Sequence, residues 1–284
     1  MRRLGLALVT ALAAGVLAVW VVGGMLVAPA LRPISPPTGL QVGEAAIESP
    51  NGPLAAWTLA ADSARGTVVL MHGVRAARDS QVDRMRLFHG AGYDVVAFDF
   101  QAHGESPGDA ITFGARERED AIAAVAFARE RFGGPVAVVG QSMGGAAALL
   151  AGPRLAADAL VVEAVYADIG RATRNRMERM LGTLGGRLTP LLTAQFGPRL
   201  GIAVDDLAPA RAAATVAVPL FVLVGSEDAH AHPDEACAIA DAAPASTVLW
   251  EVEGAAHQDL YRFAPEAYRA RVLGFLDASL PGRE

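Results

Sequence analysis

The sequence predicts an α/β fold: a mostly parallel central sheet with helices on both faces. Three observations lead there. Short apolar runs at residues 67–71, 94–98, 159–165, 221–224 and 248–252 carry no alternating polar face, which marks strands buried on both sides. Helix-forming stretches alternate with them, as parallel strands require for their return connections. One further apolar run, residues 136–140, passes into a helix-forming stretch through Gly140-Gln141-Ser142-Met143-Gly144, which holds a serine between two glycines.

The chain has 284 residues, the size of one α/β domain with a sizeable core. Its net charge of −6 gives no reason to expect nucleic acid, and no nucleic-acid-binding motif is present. Glycine and proline are dispersed, so no low-complexity region or repeat is indicated. Cys237 is the only cysteine, which excludes an intramolecular disulfide and leaves the redox compartment open. It falls in a helix-like run over 234–243 and is expected to be a small buried apolar residue.

Arg2 and Arg3 precede an uncharged apolar run over residues 4–28, which Pro29 ends. A helix needs roughly 20 apolar residues to cross a bilayer, whereas the apolar part of a cleaved signal is roughly 7–15. The length predicts an uncleaved transmembrane anchor within residues 1–30. The arginine pair would mark the cytoplasmic end, with the following domain outside the cytoplasm. Ala28-Pro29-Ala30 offers a small-x-small cleavage pattern, so secretion after signal cleavage is the alternative. Residues 31–40, with Pro33, Pro36 and Pro37, read as an extended tether. Residues 41–284 then form the domain.

The domain opens with a hairpin signal. Residues 41–47 and 53–60 alternate loosely around Pro50-Asn51-Gly52. The buried run 67–71 leads directly into His72-Gly73-Val74-Arg75. Residues 79–90 read as a helix, with Gly92 beyond its end, and strand 94–98 is followed by the loop 99–106. Residues 113–132 form a helix with apolar Ile122, Val125, Ala126 and Phe132, stopped by Gly133-Gly134-Pro135. Beyond the serine turn and its helix come strand 159–165, a long stretch with helix-like pieces, strands 221–224 and 248–252, and a last helix over 265–280.

The G-x-S-x-G pattern lets the backbone turn sharply from strand to helix. The serine is then presented on a strained turn, with the following backbone N–H groups directed at the same space. Such a corner needs small residues, and Gly145, Ala146, Ala147 and Ala148 supply them. The bland reading is a strand–helix turn with a capping serine. The strand before and the helix after favour a nucleophile elbow.

Over about residues 40–284 the chain resembles the α/β-hydrolase family. The stretches that carry the resemblance are His72-Gly73 after a strand, Asp99-Phe100-Gln101-Ala102-His103-Gly104-Glu105-Ser106, Gly140-Gln141-Ser142-Met143-Gly144-Gly145, Gly225-Ser226-Glu227-Asp228 with Pro233, and Gly254-Ala255-Ala256-His257. Together they are similar to the small-lidded serine hydrolases known as esterases, lipases or serine aminopeptidases. Gln101 stands where many relatives carry Arg, a change in loop packing rather than chemistry. The resemblance implies the α/β-hydrolase fold, with an insertion over about residues 168–218 forming a small helical lid above the active site. That stretch carries Met177, Met180, Leu181, Leu184 and Leu188, and is basic through Arg171, Arg174, Arg176, Arg179, Arg187 and Arg199. This is either a solvated face or a surface turned toward anionic lipid headgroups.

A serine hydroxyl is a poor nucleophile until a base takes its proton. Among six histidines, His257 is the candidate, because it follows the last strand at the carboxyl edge where ligands bind in such folds. His72 is expected to shape the neighbouring loop, His103 to be structural and His89 to be solvated. Asp228 completes the chain order Ser, Asp, His and would hold the imidazole. Asp168, after strand 159–165, is its competitor. The oxyanion donors would be the backbone N–H groups of Met143 and Val74, with Arg75 as a fallback for the second. His230 and His232 would share a face of an extended segment, either as part of a solvated loop that positions Asp228 or as metal ligands. The expectation is a serine hydrolase of carboxylic esters that works through an acyl-enzyme, on a small-molecule or lipid acyl substrate, with no cofactor implied. Peptidase, thioesterase or acyltransferase chemistry on the same residues, or a catalytically silent ligand-binding protein, are the alternatives.

Overall fold

In the computed structural model, which describes residues 2–244 and 246–280, the chain opens with the 26-residue helix α1 (Arg2–Val27). The second half of α1 is packed on the domain. Gln195 Nε2 donates to the Val19 carbonyl at 3.1 Å, and Arg199 Nη2 donates to the Trp20 carbonyl at 2.6 Å. The Arg199 guanidinium lies 4.1 Å from the centre of the Trp20 ring, and Arg75 Nη2 reaches the Leu26 carbonyl at 3.2 Å. Among the described residues, no helix is long and apolar enough to cross a membrane. This overturns the expected membrane anchor, and with it the placement of a membrane-held catalytic domain outside the cytoplasm. The contacts give a physical reason: carbonyls held by glutamine and arginine side chains suit a helix lying on protein, whereas a guanidinium in hydrocarbon is expensive.

The short strand β1 (Ala30–Leu31) follows. Ala30 N–H donates to Ala102 O and Arg32 N–H to Gly104 O, both at 2.8 Å, so the Ala28-Pro29-Ala30 stretch is stitched into the domain. Ile34 is buried, and its N–H reaches Glu105 Oε1 at 3.2 Å. The hairpin forms as β2 (Gly43–Ile47) and β3 (Leu54–Leu59), paired antiparallel. Next come β4 (Thr67–Met71), a 3₁₀ turn at Arg78–Gln81, α2 (Val82–Gly90) and β5 (Asp94–Phe98). β6 (His103–Gly104) pairs with β1.

The helix expected from residue 113 starts later, as α3 (Glu117–Phe132). Phe113 and Gly114 have φ of 54° and 109°. The Glu117 carboxylate accepts the N–H groups of Thr112 and Gly114, which closes that loop in front of the helix. β7 (Val136–Gln141) and α4 (Met143–Ala151) flank the serine. β8 (Ala159–Glu163) is shorter than expected because Ala164, at φ 52°, bends the chain away.

The insertion folds as α5 (Ile169–Leu181), α6 (Thr183–Thr193), α7 (Phe196–Leu200) and α8 (Pro209–Ala213). The chain ends with β9 (Leu220–Gly225), α9 (Pro233–Ala242), β10 (Val248–Val252), α10 (Leu260–Phe263) and α11 (Pro265–Ser279). Cys237 lies exposed on α9, contrary to the expectation of burial.

The main sheet has eight strands in the order β10-β9-β8-β7-β4-β5-β3-β2. The run from β10 to β5 is parallel, and the hairpin adds antiparallel strands at one edge. Neighbouring side chains of one strand enter different cores. Val69, Met71, Val138, Val162, Val222 and Val224 pack on one side; Val68, Leu70, Val139, Val161, Phe221 and Leu223 pack on the other. That two-sided burial is why the sequence runs apolar without alternation. It also fixes the sheet rigidly, so the loops at its carboxyl edge are held in register.

Candidate active site

Ser142 ends β7 with φ 48° and ψ −113°, a left-handed backbone that a residue with a Cβ adopts only when its surroundings enforce it. Two neighbours enforce it here. The Ser142 N–H donates to the Glu163 carbonyl at 2.7 Å, and the Ser142 carbonyl accepts the Ala146 N–H at 2.9 Å. The flanking glycines are needed for close approach. A Cβ on Gly140 would sit 2.6 Å from Gly145 N, and one on Gly144 would sit 2.6 Å from the Met71 carbonyl oxygen. The corner is therefore a nucleophile elbow in geometry, pressed against the end of β4.

Asp228 follows β9 and His257 follows β10. His257 Nδ1 donates to Asp228 Oδ2 at 2.8 Å, while Asp228 Oδ1 accepts the N–H groups of His230 and Ala231 at 2.8 and 2.9 Å. The Asp228 side chain has no exposed surface, whereas the His257 side chain keeps 24% of its own, so the imidazole can meet a substrate and the acid cannot. With Nδ1–H committed to the carboxylate, Nε2 is left as the basic nitrogen. The two loops are laced together. Glu227 N–H donates to Ala255 O at 2.8 Å, Ser226 N–H to Val252 O at 3.0 Å, and Gly254 N–H to Ser226 Oγ at 2.8 Å. The structure thus joins His257 to Asp228 directly. Among the described contacts it gives the Ser142 hydroxyl no hydrogen bond to His257, and such bonds are often long before substrate binds. Asp168, the competing acid, accepts the Arg171 N–H at 2.8 Å and caps α5.

Met143 is the first residue of α4, so its N–H has no partner within the helix. A Cβ on Gly73 would lie 3.6 Å from Ser142 Cβ, which puts the Gly73-Val74 turn beside the serine. Among the described residues the Val74 N–H makes no backbone hydrogen bond. His72 holds this turn from below. Its Nε2 accepts the Phe100 N–H at 3.1 Å, so Nδ1 carries the proton donated to Gly73 O at 2.8 Å. Burial, with His103 adding to it, pushes the His72 pKa down to about 3. His103 is buried, with Nδ1 2.8 Å from Gln101 O. Gln101 spends its amide on Ala110 O and Glu117 Oε1, a packing role within its loop.

The sequence pattern fits His230 either as a loop residue or as a metal ligand. Its ring lies edge-on to His257, with centroids 5.0 Å apart. Burial, followed by the neighbouring His257, lowers its pKa. Among the described residues, no group of three or more His, Cys, Asp or Glu side chains gathers where a metal ion could be held. Helix α5 is tied to the same loop. Asn175 Nδ2 on α5 donates to Glu235 Oε1 at 2.6 Å and to the His230 carbonyl at 3.1 Å, and Arg171 pairs with Asp234. A cleft of about 500 Å³ between α5 and α6 is lined by Asp168, Arg171, Arg174 and Thr189 and includes none of Ser142, Asp228 and His257. The sequence reading missed Arg84, which is fully buried behind the elbow with Glu163. Its only signal was an arginine next to Met85, Leu87 and Phe88 in the same helical face pattern, and a surface arginine gives much the same pattern.

An elbow serine, a buried acid holding a partly exposed histidine and, among the described residues, two backbone N–H groups without a backbone acceptor lie together at the carboxyl edge of a mostly parallel sheet, the arrangement of the α/β-hydrolase fold. The comparisons with known proteins agree on that fold. The family described as serine aminopeptidase, S33, matches residues 62–199. The uncharacterized protein YqkD of Bacillus subtilis (strain 168) is 23% identical over 216 residues, covering 74% of this chain and 71% of its own. The Pyrococcus furiosus esterase Pf2001 superposes with a TM-score of 0.71 at 20% identity, covering 88% of this chain and 98% of its own. XC6422 of Xanthomonas campestris, described as an α/β serine hydrolase without lid, superposes with a TM-score of 0.59 at 17% identity, covering 89% of this chain and 100% of its own. The chain has the α/β-hydrolase fold, and hydrolysis is the general activity that its similarity to these proteins supports.

Proposed function

We propose that the protein is a serine hydrolase that cleaves carboxylic ester bonds with Ser142, His257 and Asp228. The observation that carries the reading is the 2.8 Å bond from His257 Nδ1 to a fully buried Asp228, on loops that follow β9 and β10 at the same carboxyl edge of the sheet as Ser142. His257 Nε2 takes the proton as Ser142 Oγ attacks the carbonyl carbon. The oxygen that becomes negative is met by the N–H groups of Met143 and Val74. Collapse of the tetrahedral intermediate expels the alcohol, which takes the proton from the imidazolium and leaves an acyl-serine. Water, deprotonated by His257, then attacks the acyl carbon; the acyl–Oγ bond breaks, the imidazolium returns its proton to Ser142 Oγ, and the acid is released. Asp228 stays ionised and stabilises the imidazolium throughout. Residues 41–284 are the catalytic unit, with the insertion over about 168–218 as its cover.

Hydrolysis of an aminoacyl amide by the same residues is the second reading, favoured by the description of the matched family. Labelling with a fluorophosphonate probe tests the shared chemistry. Wild type should label and Ser142→Ala should not; an unlabelled wild type would overturn the assignment in favour of a silent, ligand-binding protein. Nitrophenyl esters of graded acyl length, run beside aminoacyl amides, separate the two substrate classes.

A further inference from the structure

Arg84 on α2 has no exposed side-chain surface, and its guanidinium meets groups from several parts of the chain. Nη2 donates to Glu163 Oε2 at 2.7 Å, at the end of β8. Nη1 donates to Asp259 Oδ2 at 2.9 Å, just past His257, and Nε lies 3.3 Å from the Tyr268 hydroxyl on α11. With its amide oriented to suit the surrounding donors, Gln141 presents its oxygen to Arg84 Nη2 at 2.9 Å. Two of these partners belong to the elbow. Gln141 is the residue before Ser142, and the Glu163 carbonyl accepts the Ser142 N–H. Asp259 belongs to the loop that carries His257. Tyr268 closes the cluster by donating its hydroxyl to Glu163. One guanidinium therefore bonds both to residues that flank or hold Ser142 and to the residue two positions past His257.

A buried ion pair is weak as a stabilising device, because desolvation offsets most of the attraction. What a guanidinium adds is a planar fork of donors with fixed directions, which a flexible ammonium lacks. We propose that Arg84 is a positioning residue that clamps the nucleophile elbow to the His257 loop and so sets the separation across which the Ser142 proton passes. The inference rests on the catalytic reading given above. It concerns placement only, and Arg84 touches neither substrate nor the reacting atoms. Among the described residues, the hydrogen-bonded link from Arg84 to the histidine loop runs through Asp259, and the guanidinium also lies 5.9 Å from the centre of the Tyr261 ring on α10. Asp259 also caps α10 by accepting the Arg262 N–H at 3.1 Å, a bond an asparagine oxygen can keep.

Arg84→Lys and Asp259→Asn test the clamp, each measured for the rate of fluorophosphonate labelling, for kcat and KM on a nitrophenyl ester, and for thermal midpoint. Loss of alignment by about 1 Å costs roughly 100-fold in rate. Arg84→Lys is therefore expected to lower labelling rate and kcat by roughly 10- to 100-fold, and Asp259→Asn by roughly 10-fold, with KM within about twofold of wild type. A structural role alone would lower the midpoint and leave kcat of the folded protein unchanged. Folded Asp259→Asn with wild-type kcat and labelling rate would overturn the clamp while leaving the catalytic reading intact, and this variant decides the matter if Arg84→Lys does not fold. A wild type that fails to label would overturn both.

Discussion

Asp228 has spent both carboxylate oxygens before any substrate arrives. One accepts the His230 and Ala231 N–H groups and the other holds His257 Nδ1. Asp228→Asn keeps the shape but can turn an NH₂ toward the imidazole, which favours the tautomer with its proton on Nε2 and no base for Ser142. The expected result is a fall in kcat of roughly 10³- to 10⁴-fold with a modest change in KM, read from steady-state ester hydrolysis. His72 makes a second prediction at this scale. An unfolded histidine takes a proton near 6.5, whereas buried His72 does so only near about 3. Between those values the unfolded chain binds more protons, so His72 contributes a loss of stability as pH falls below about 6.5, at about 1.4 kcal/mol per pH unit. Its geometry agrees, because protonating Nε2 would set a second hydrogen against the Phe100 N–H. Urea unfolding of wild type against His72→Gln should show wild type losing about 2 kcal/mol more than the variant between about pH 7 and about pH 5. Residue identity let Ser142, Asp228 and His257 be named as candidates from sequence because each sits in a glycine-marked or strand-end context. The partner of His230 was not readable, since a ring contact between residues 230 and 257 leaves no local pattern.

At the scale of elements, the central strands were readable because two-sided burial forces a continuous apolar run, whereas β10, also expected to be buried, lies at the sheet edge with Val248 and Leu249 exposed. Ends were less readable. The start of α3 depends on Phe113 and Gly114 taking positive φ so that Glu117 can gather their loop, and the end of β8 depends on a bend at Ala164. Helix propensity says nothing about either. Cys237 shows the same limit, since α9 turns it outward although its neighbour Ala236 is buried. The elbow itself gives a prediction. A methyl group on Gly144 meets the Met71 and His72 carbonyl oxygens at 2.6 and 2.8 Å, both backbone atoms that cannot step aside. Gly144→Ala should destabilise the fold by about 1–3 kcal/mol in chemical denaturation. It should also slow probe labelling, since the displaced atoms belong to the turn beside Ser142.

The whole molecule is held by contacts that bridge distant stretches of chain. α1 was the element most misread from sequence. Its apolar length matches a bilayer span, yet its second half rests on α6 and α7 and on Arg75. Arg199→Ala removes both the cation–π contact with Trp20 and the bond to its carbonyl, at a cost of about 1 kcal/mol. Limited proteolysis should then cut faster near residues 20–31, with the rest of the domain as resistant as before. Cutting at the wild-type rate would mean that these two contacts do not hold the helix.

By itself the sequence determined the sheet, the elbow and the order of the three candidate catalytic residues, because burial on both faces and the tight strand–helix corner each restrict residue type locally. The tertiary structure decided which acid meets His257, where α1 lies and what Arg84 joins. Those outcomes depend on which strands are neighbours: residues 84, 141, 163 and 259, far apart in the chain, meet in a sheet where β7 lies beside β8 and β10 lies beyond β9.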